Sequence, residues 1–142
     1  IILFLGYKIY EKQTGMGRGD SIPAESAAKK AIDIFSFPDG ESTDAERQAY
    51  GDFVNESAVI GTSMDISSCA SKPQILSVEN GAEFKFVNND AVEHIVSFDP
   101  SRTYTVPAKS SFSVKAAFEP GKGIYGFGCD YSGRALGLIV VR

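Results

Sequence analysis

The sequence predicts a mainly β domain, an antiparallel β-sandwich of Greek-key type, over residues 57–142. Three observations predict it. From Ala58 onward apolar and polar residues alternate with a period of two, as in strands with one buried face. About eight such segments follow one another at roughly even spacing, with turn formers between them. There is no strand–helix alternation and no phosphate-binding loop: Gly121, Gly123, Gly126 and Gly128 lie in a turn and a strand with no helical pattern behind them.

Taken in order, AVIGTSMDI (58–66) reads as the first strand, and Pro73 breaks the chain before QILSV (74–78). Glu79-Asn80-Gly81 is a turn. EFKFVN (83–88) alternates, with Phe84 and Phe86 on one face, and Asn88-Asn89-Asp90 turns the chain again. VEHIVSF, TYTVP, SFSVKAAF, GIYGFG and ALGLIVV follow, separated by turns at Asp99-Pro100 and Glu119-Pro120-Gly121. Phe84, Phe86, Phe98, Phe112, Tyr125 and Phe127 are the expected aromatic core.

Two helices are expected upstream. Over residues 43–54, Thr43 caps a helix and Glu46, three residues on, reaches back to the cap. Its apolar stripe is Ala45, Ala49, Tyr50, Phe53 and Val54. Over 24–35, Ala27, Ala28, Ala31, Ile32 and Phe35 recur at helical spacing. Stripes this thin do not make a domain, so the helices dock on the β domain or space it from a membrane. Residues 1–23 read as an anchor remnant and a Gly-rich linker, 24–56 as a helical spacer and 57–142 as the β domain. Ile1 to Tyr10 is apolar but shorter than the ~20 residues of a span. It reads as the tail of a signal peptide or membrane anchor, or else as an amphipathic helix on the domain. The first reading puts the β domain in the periplasm or outside the cell. Arg18-Gly19-Asp20 and the glycosylation sequon at Asn55 are too short to carry weight.

A 43% hydrophobic content is enough for a packed core. The net charge of −4, with no Lys/Arg run, excludes nucleic acid as a partner. The chain has two cysteines and one histidine: Cys69 in SSCASKP, Cys129 at the end of GIYGFGC, and His94 in VEHIVSF. One histidine and two thiols permit a nucleophile pair with Asp130 as orienter, but no oxyanion hole or paired carboxylates accompany them, so no enzyme is expected. Asp65, Glu83, Glu93, Asp99 and Asp130 read as a solvated face.

Residues 72–142, and the chain from Ser57 onward, resemble the cupredoxin fold of blue-copper proteins. PQILSVENG (73–81) is similar to that family's second strand and turn, and FKFVNND (84–90) to the strand ending in Asn-x-Asp. EHIVSF (93–98) is similar to the segment that carries the first histidine ligand, and YGFGC (125–129) to the strand that delivers the cysteine. Within that family the chain resembles small membrane-anchored cupredoxin-domain proteins of prokaryotes. The chain departs from the family where a second histidine is expected, which holds Ser132, Gly133 and Arg134, and where an axial methionine is expected, which holds Gly137 and Leu138.

The resemblance implies His94 and Cys129 as copper ligands at one end of the sandwich, and Cys69, shortly before Pro73, is expected to replace the missing histidine, giving a Cys69, His94, Cys129 site with Leu138 as an apolar cap. It further implies a role in copper handling or electron transfer and a redox or copper-transfer protein partner. The alternative is a Cys69–Cys129 disulfide in a metal-free binding or structural module, whose contact face lies around Tyr131 and Leu136.

Overall fold

The computed structural model describes residues 32–142. Helix α1 spans Asp44–Ser57. Ten strands follow: β1 (Val59–Ile60), β2 (Ser63–Ser67), β3 (Ala70–Lys72), β4 (Ile75–Val78), β5 (Glu83–Asn88), β6 (His94–Asp99), β7 (Arg102–Val106), β8 (Ser111–Lys115), β9 (Gly123–Cys129) and β10 (Gly137–Val141). They form a six-stranded sheet in the order β1-β4-β10-β9-β6-β7 and a four-stranded sheet in the order β3-β2-β5-β8.

The sandwich is mixed rather than antiparallel. β1 runs parallel to β4, β4 to β10, and β2 to β5. The reason lies in the connections. After the β2–β3 hairpin the chain crosses to the other sheet for β4, then returns for β5. A strand that comes back after such an excursion can lie beside β2 in the same direction, which a hairpin cannot achieve.

α1 starts where its cap predicts. The Glu46 backbone N–H donates to the Thr43 hydroxyl at 3.2 Å, and the Thr43 N–H donates to the Glu46 carboxylate at 2.7 Å. Its buried stripe is narrower than expected: Tyr50 and Val54 are buried, whereas Ala45, Ala49 and Phe53 are exposed. The helix docks on the outer face of the six-stranded sheet, where Tyr50 and Val54 pack on Ile75, Leu138 and Val140. The Tyr50 hydroxyl donates to the Ile34 carbonyl at 2.7 Å, and the Phe37 ring lies 5.9 Å from the Tyr50 ring. This explains why every residue of β4 and β10 is buried. One face of each strand meets the helix, and the other meets the sandwich interior through Leu76, Val78, Ile139 and Val141. Of the helix expected at 24–35, residues 32–35 are turn and coil, and the remainder lies outside the described residues.

Phe84, Phe86, Phe98 and Phe127 are fully buried between the sheets, with the Phe86 ring 5.0 Å from Phe127 and 6.1 Å from Phe98. Phe112 departs from the expected core and is 38% exposed. It sits on β8, the last strand of its sheet, so it has a neighbouring strand on one side only. Tyr104 covers it from across the rim at 5.6 Å. Urea denaturation should report this difference. Phe86→Ala is expected to remove about 3 to 5 kcal/mol of stability, and Phe112→Ala about 1 kcal/mol or less.

A candidate site at the disulfide end of the sandwich

Three separate segments bring Cys69, His94 and Cys129 to one end of the sandwich. Ser68 and Cys69 are the two central residues of the β2–β3 hairpin, both with left-handed backbones (φ 50° and 55°), as a two-residue hairpin of matching twist requires. His94 opens β6. Cys129 closes β9, directly across from Val96. The chain turns after Cys129 through Asp130 and Tyr131, again left-handed (φ 49° and 55°). Gly137 then lets β10 pass close to the interior, since a Cβ there would lie 2.4 Å from the Phe127 ring and 2.6 Å from the Ser71 hydroxyl oxygen.

The two sulfurs are covalently joined. Cys69 and Cys129 form a disulfide with an S–S distance of 2.01 Å and Cα atoms 5.6 Å apart, closing a loop of 60 residues. The bond ties the four-stranded sheet to the six-stranded one. Cys129 is 1% exposed, while Cys69 is half-buried.

His94 lies against this bridge, 5% exposed, with Nδ1 3.6 Å from the Cys69 sulfur. Both of its ring nitrogens are engaged by carboxylates: Nδ1 meets Asp130 Oδ2 at 2.7 Å and Nε2 meets Asp90 Oδ2 at 2.7 Å. An ionised carboxylate only accepts, so both bonds together require a proton on each nitrogen, and the ring is an imidazolium. Hydrogen bonds from Asp130 first and Asp90 second raise the His94 pKa above its ordinary value, against the burial that lowers it. Asp90 is held below the usual carboxylate range, chiefly by His94 and then by the Ser68 N–H. At Asp130, burial pushes upward but is outweighed by the Ile95 N–H and His94, so its pKa is also lowered.

Both carboxylates are fixed by further bonds. Asp130 Oδ1 accepts from the Ile95 N–H at 2.8 Å, and the Asp130 N–H donates to the Ile95 carbonyl at 2.8 Å. Asp90 accepts from the Ser67 hydroxyl at 3.1 Å and from the Ser68 N–H at the hairpin tip. The Asp90 N–H donates to Asn88, and the buried Asn88 amide donates to the Val92 and Val106 carbonyls.

These contacts correct the expected copper site. One oxygen, nitrogen or sulfur from each of Cys69, His94, Cys129 and Asp130 falls within 4.8 Å of the others, so the expected convergence is present. The donor set nevertheless does not fit copper. Neither sulfur is a thiolate, because each is bonded to the other, and both imidazole nitrogens are occupied by carboxylates. With the thiolates gone, the roles in copper handling and electron transfer lose their basis. Leu138 is no cap either. It lies on the opposite face of the sheet, under α1, while Leu136 packs toward the disulfide end of the core. Ser132, Gly133 and Arg134 are exposed.

Sequence reasoning missed Asp90; it named Asp130 as a histidine orienter only within the nucleophile pair it set aside, and otherwise placed it on a solvated face. The available signal was the turn Asn88-Asn89-Asp90, four residues before His94, and the position of Asp130 directly after Cys129.

No family model and no curated protein matches this chain. Among solved structures, it is similar to a proline-to-glycine variant of amicyanin in its reduced Cu(I) form at pH 4, with 19% identity and a TM-score of 0.46 over 58% of this chain and 82% of that one. It is similar to a purple cupredoxin from Nitrosopumilus maritimus, with 19% identity and a TM-score of 0.44 over 58% of this chain and all of that one. A copper-containing nitrite reductase from Thermus scotoductus aligns at 14% identity and a TM-score of 0.48, over 62% of this chain and 28% of that one.

Two predictions follow from the geometry. Replacing both cysteines by serine should lower stability by about 3 to 5 kcal/mol in guanidinium denaturation, from the loop of 60 residues that the bridge closes. The second concerns pH. A raised His94 pKa stabilises the fold fully below the ordinary value of 6.5, and this is lost as pH rises through the folded value. The lowered Asp90 and Asp130 values stabilise it above the ordinary 3.8, and this is lost as pH falls through the folded values. The difference in Tm between the protein and its His94→Asn variant should therefore be largest near about pH 5 and shrink on the alkaline side. A difference that grows steadily above neutrality would contradict the imidazolium assignment.

Proposed function

We propose that this chain is a cupredoxin-like Greek-key domain that has become a metal-free binding module, without catalytic or electron-carrying activity. The observation that carries this reading is the covalent bond between Cys69 and Cys129, at the end of the sandwich where the resemblance expects metal-binding thiolates. Several features support the cupredoxin-like assignment. The motifs behind the resemblance fall on β4, β5, β6 and β9 in the expected order. β6 and β9 are neighbours, so His94 and Cys129 share one end of the sheet.

The absence of catalysis is proposed on chemical grounds. In the described residues no cysteine is free, and His94 has no nitrogen left to accept a proton. We place the domain in an oxidising setting, the periplasm or the cell exterior, because disulfides persist there and are reduced in the cytosol. Among the described residues no helix is long and apolar enough to cross a membrane. The apolar segment Ile1 to Tyr10, proposed as an anchor remnant, lies outside those residues. The contact face is the loop after the disulfide, where Tyr131 is 76% exposed.

The test is a thiol titration of the full chain after export, native and denatured, combined with copper analysis after incubation with Cu(II) and dialysis. No titratable thiol and no stoichiometric copper are expected. Two free thiols per chain, or one copper retained by the oxidised protein, would overturn the reading.

A further inference from the structure

Beside the disulfide loop the outer face of the six-stranded sheet carries an open trough of about 690 Å³. We propose that this trough is a docking site for an extended segment of a partner protein that carries a carboxylate side chain next to apolar ones. The proposal rests on the binding-module reading above and supplies the chemistry of the partner.

The trough exists because the outer face is covered unevenly. α1 packs over β4 and β10 and the Phe37 ring lies over Gly126 of β9, whereas Ser97 of β6, Thr103 of β7 and Gly128 at the far end of β9 line the open trough. The floor of the trough includes Ser97, Thr103 and Gly128. One wall is the β6–β7 corner at Asp99 and Pro100, and the other is the loop from Tyr131 to Arg134. That loop folds back on β9: a Cβ at Gly128 would lie 3.1 Å from the Arg134 carbonyl oxygen. It is held from inside by the bonds of Asp130 to Ile95 and His94, and by the Ser132 N–H donating to the Cys129 carbonyl at 3.0 Å. The exposed Tyr131 ring is thereby presented by a braced loop, which lowers the ordering cost of binding.

Charge identifies the occupant. The acidic groups bordering the trough are already matched: Asp99 is bonded to Arg102, and Asp130 to the imidazolium of His94. The Arg134 carbonyl accepts from the Ser132 hydroxyl at 3.2 Å, but its guanidinium has no hydrogen bond or ion pair among the described residues. One uncompensated guanidinium at the rim of a mainly apolar trough fits a single carboxylate flanked by apolar side chains, with paired donors matching its two oxygens. A nucleic acid needs several cations, and two copies of a chain of net charge −4 repel each other. A small acid is buried over most of its surface in a typical pocket, whereas an open trough across three strands suits an extended chain.

The test uses the oxidised full chain, uniformly labelled with nitrogen-15, in amide-shift titrations. The probes are two pools of end-blocked pentapeptides, with Asp or Asn fixed at the centre and Leu, Phe, Ala or Ser at the flanks. The Asp pool should shift the amides of Ser97, Thr103, Gly128 and Tyr131 to Arg134, and bind about tenfold more tightly than the Asn pool. Arg134→Gln should abolish that preference, and Tyr131→Ala should weaken both pools about fivefold. No shift at these amides, equal binding of both pools, or a preference that survives Arg134→Gln would overturn the proposal. So would acetyl-leucine binding as tightly as the Asp pool, which would make this a small-acid site. The same amides shifting with protein concentration alone would assign the trough to a second copy and overturn it as well. A silent trough in a protein with no free thiol and no copper removes only this proposal and leaves the module reading in place.

Discussion

The bond between Cys69 and Cys129 is the constraint on which this end of the molecule depends. It joins a hairpin tip of one sheet to a strand end of the other. That junction closes the end of the sandwich over His94 and leaves the ring almost without solvent. A buried charge is tolerated only when it is paired and hydrogen-bonded. Asp90 and Asp130 supply the pairing, and each is tied back to a segment that the disulfide brings close: Asp90 to the hairpin tip at Ser68, Asp130 to β6 at Ile95. The covalent link and the charge cluster therefore support each other. Without the cluster, the two segments would be held by the bridge and by the Ser71 hydroxyl donating to the Leu136 carbonyl at 2.7 Å.

The same arrangement bears on reactivity. Of the two sulfurs only the Cys69 sulfur is near solvent, and Asp130 Oδ2 lies 3.2 Å from it. A disulfide sulfur has no proton to donate, so this is a contact between a carboxylate and the sulfur rather than a hydrogen bond. An incoming thiolate meets that negative charge, while the buried Cys129 is closed to attack. These features describe a structural bridge better than one built for exchange.

The other organising feature is the uneven cover on the six-stranded sheet. α1 is fixed by its capping box and by two buried side chains, Tyr50 and Val54, and it packs over β4 and β10, with Ile124 of β9 at the edge of the same cluster. Those strands are buried on both faces for this reason, whereas β6 alternates between buried and half-buried residues and β7 between half-buried and exposed ones up to the buried Val106. The bare half of the sheet adjoins the braced loop, so the surface open to a partner is the surface that the disulfide shapes.

Much of this was legible in the sequence by itself. Strand patterns marked β2 and β4 to β10, though not the short β3, and the Thr43–Glu46 pair marked the start of α1, because both are local patterns read by local geometry. The meeting of Cys69, His94 and Cys129 followed from the ordered motifs. What the two sulfurs do once they meet was not legible, since a metal and a bridge ask for the same residues at nearly the same separation. Tertiary structure decided it, by setting the sulfurs at bonding distance and by turning Asp90 and Asp130 onto both nitrogens of His94. It also decided the parallel pairs, the exposure of Phe112 and the placement of Leu138 under the helix. Each of these depends on which distant strand becomes a neighbour, and a local pattern holds no record of that.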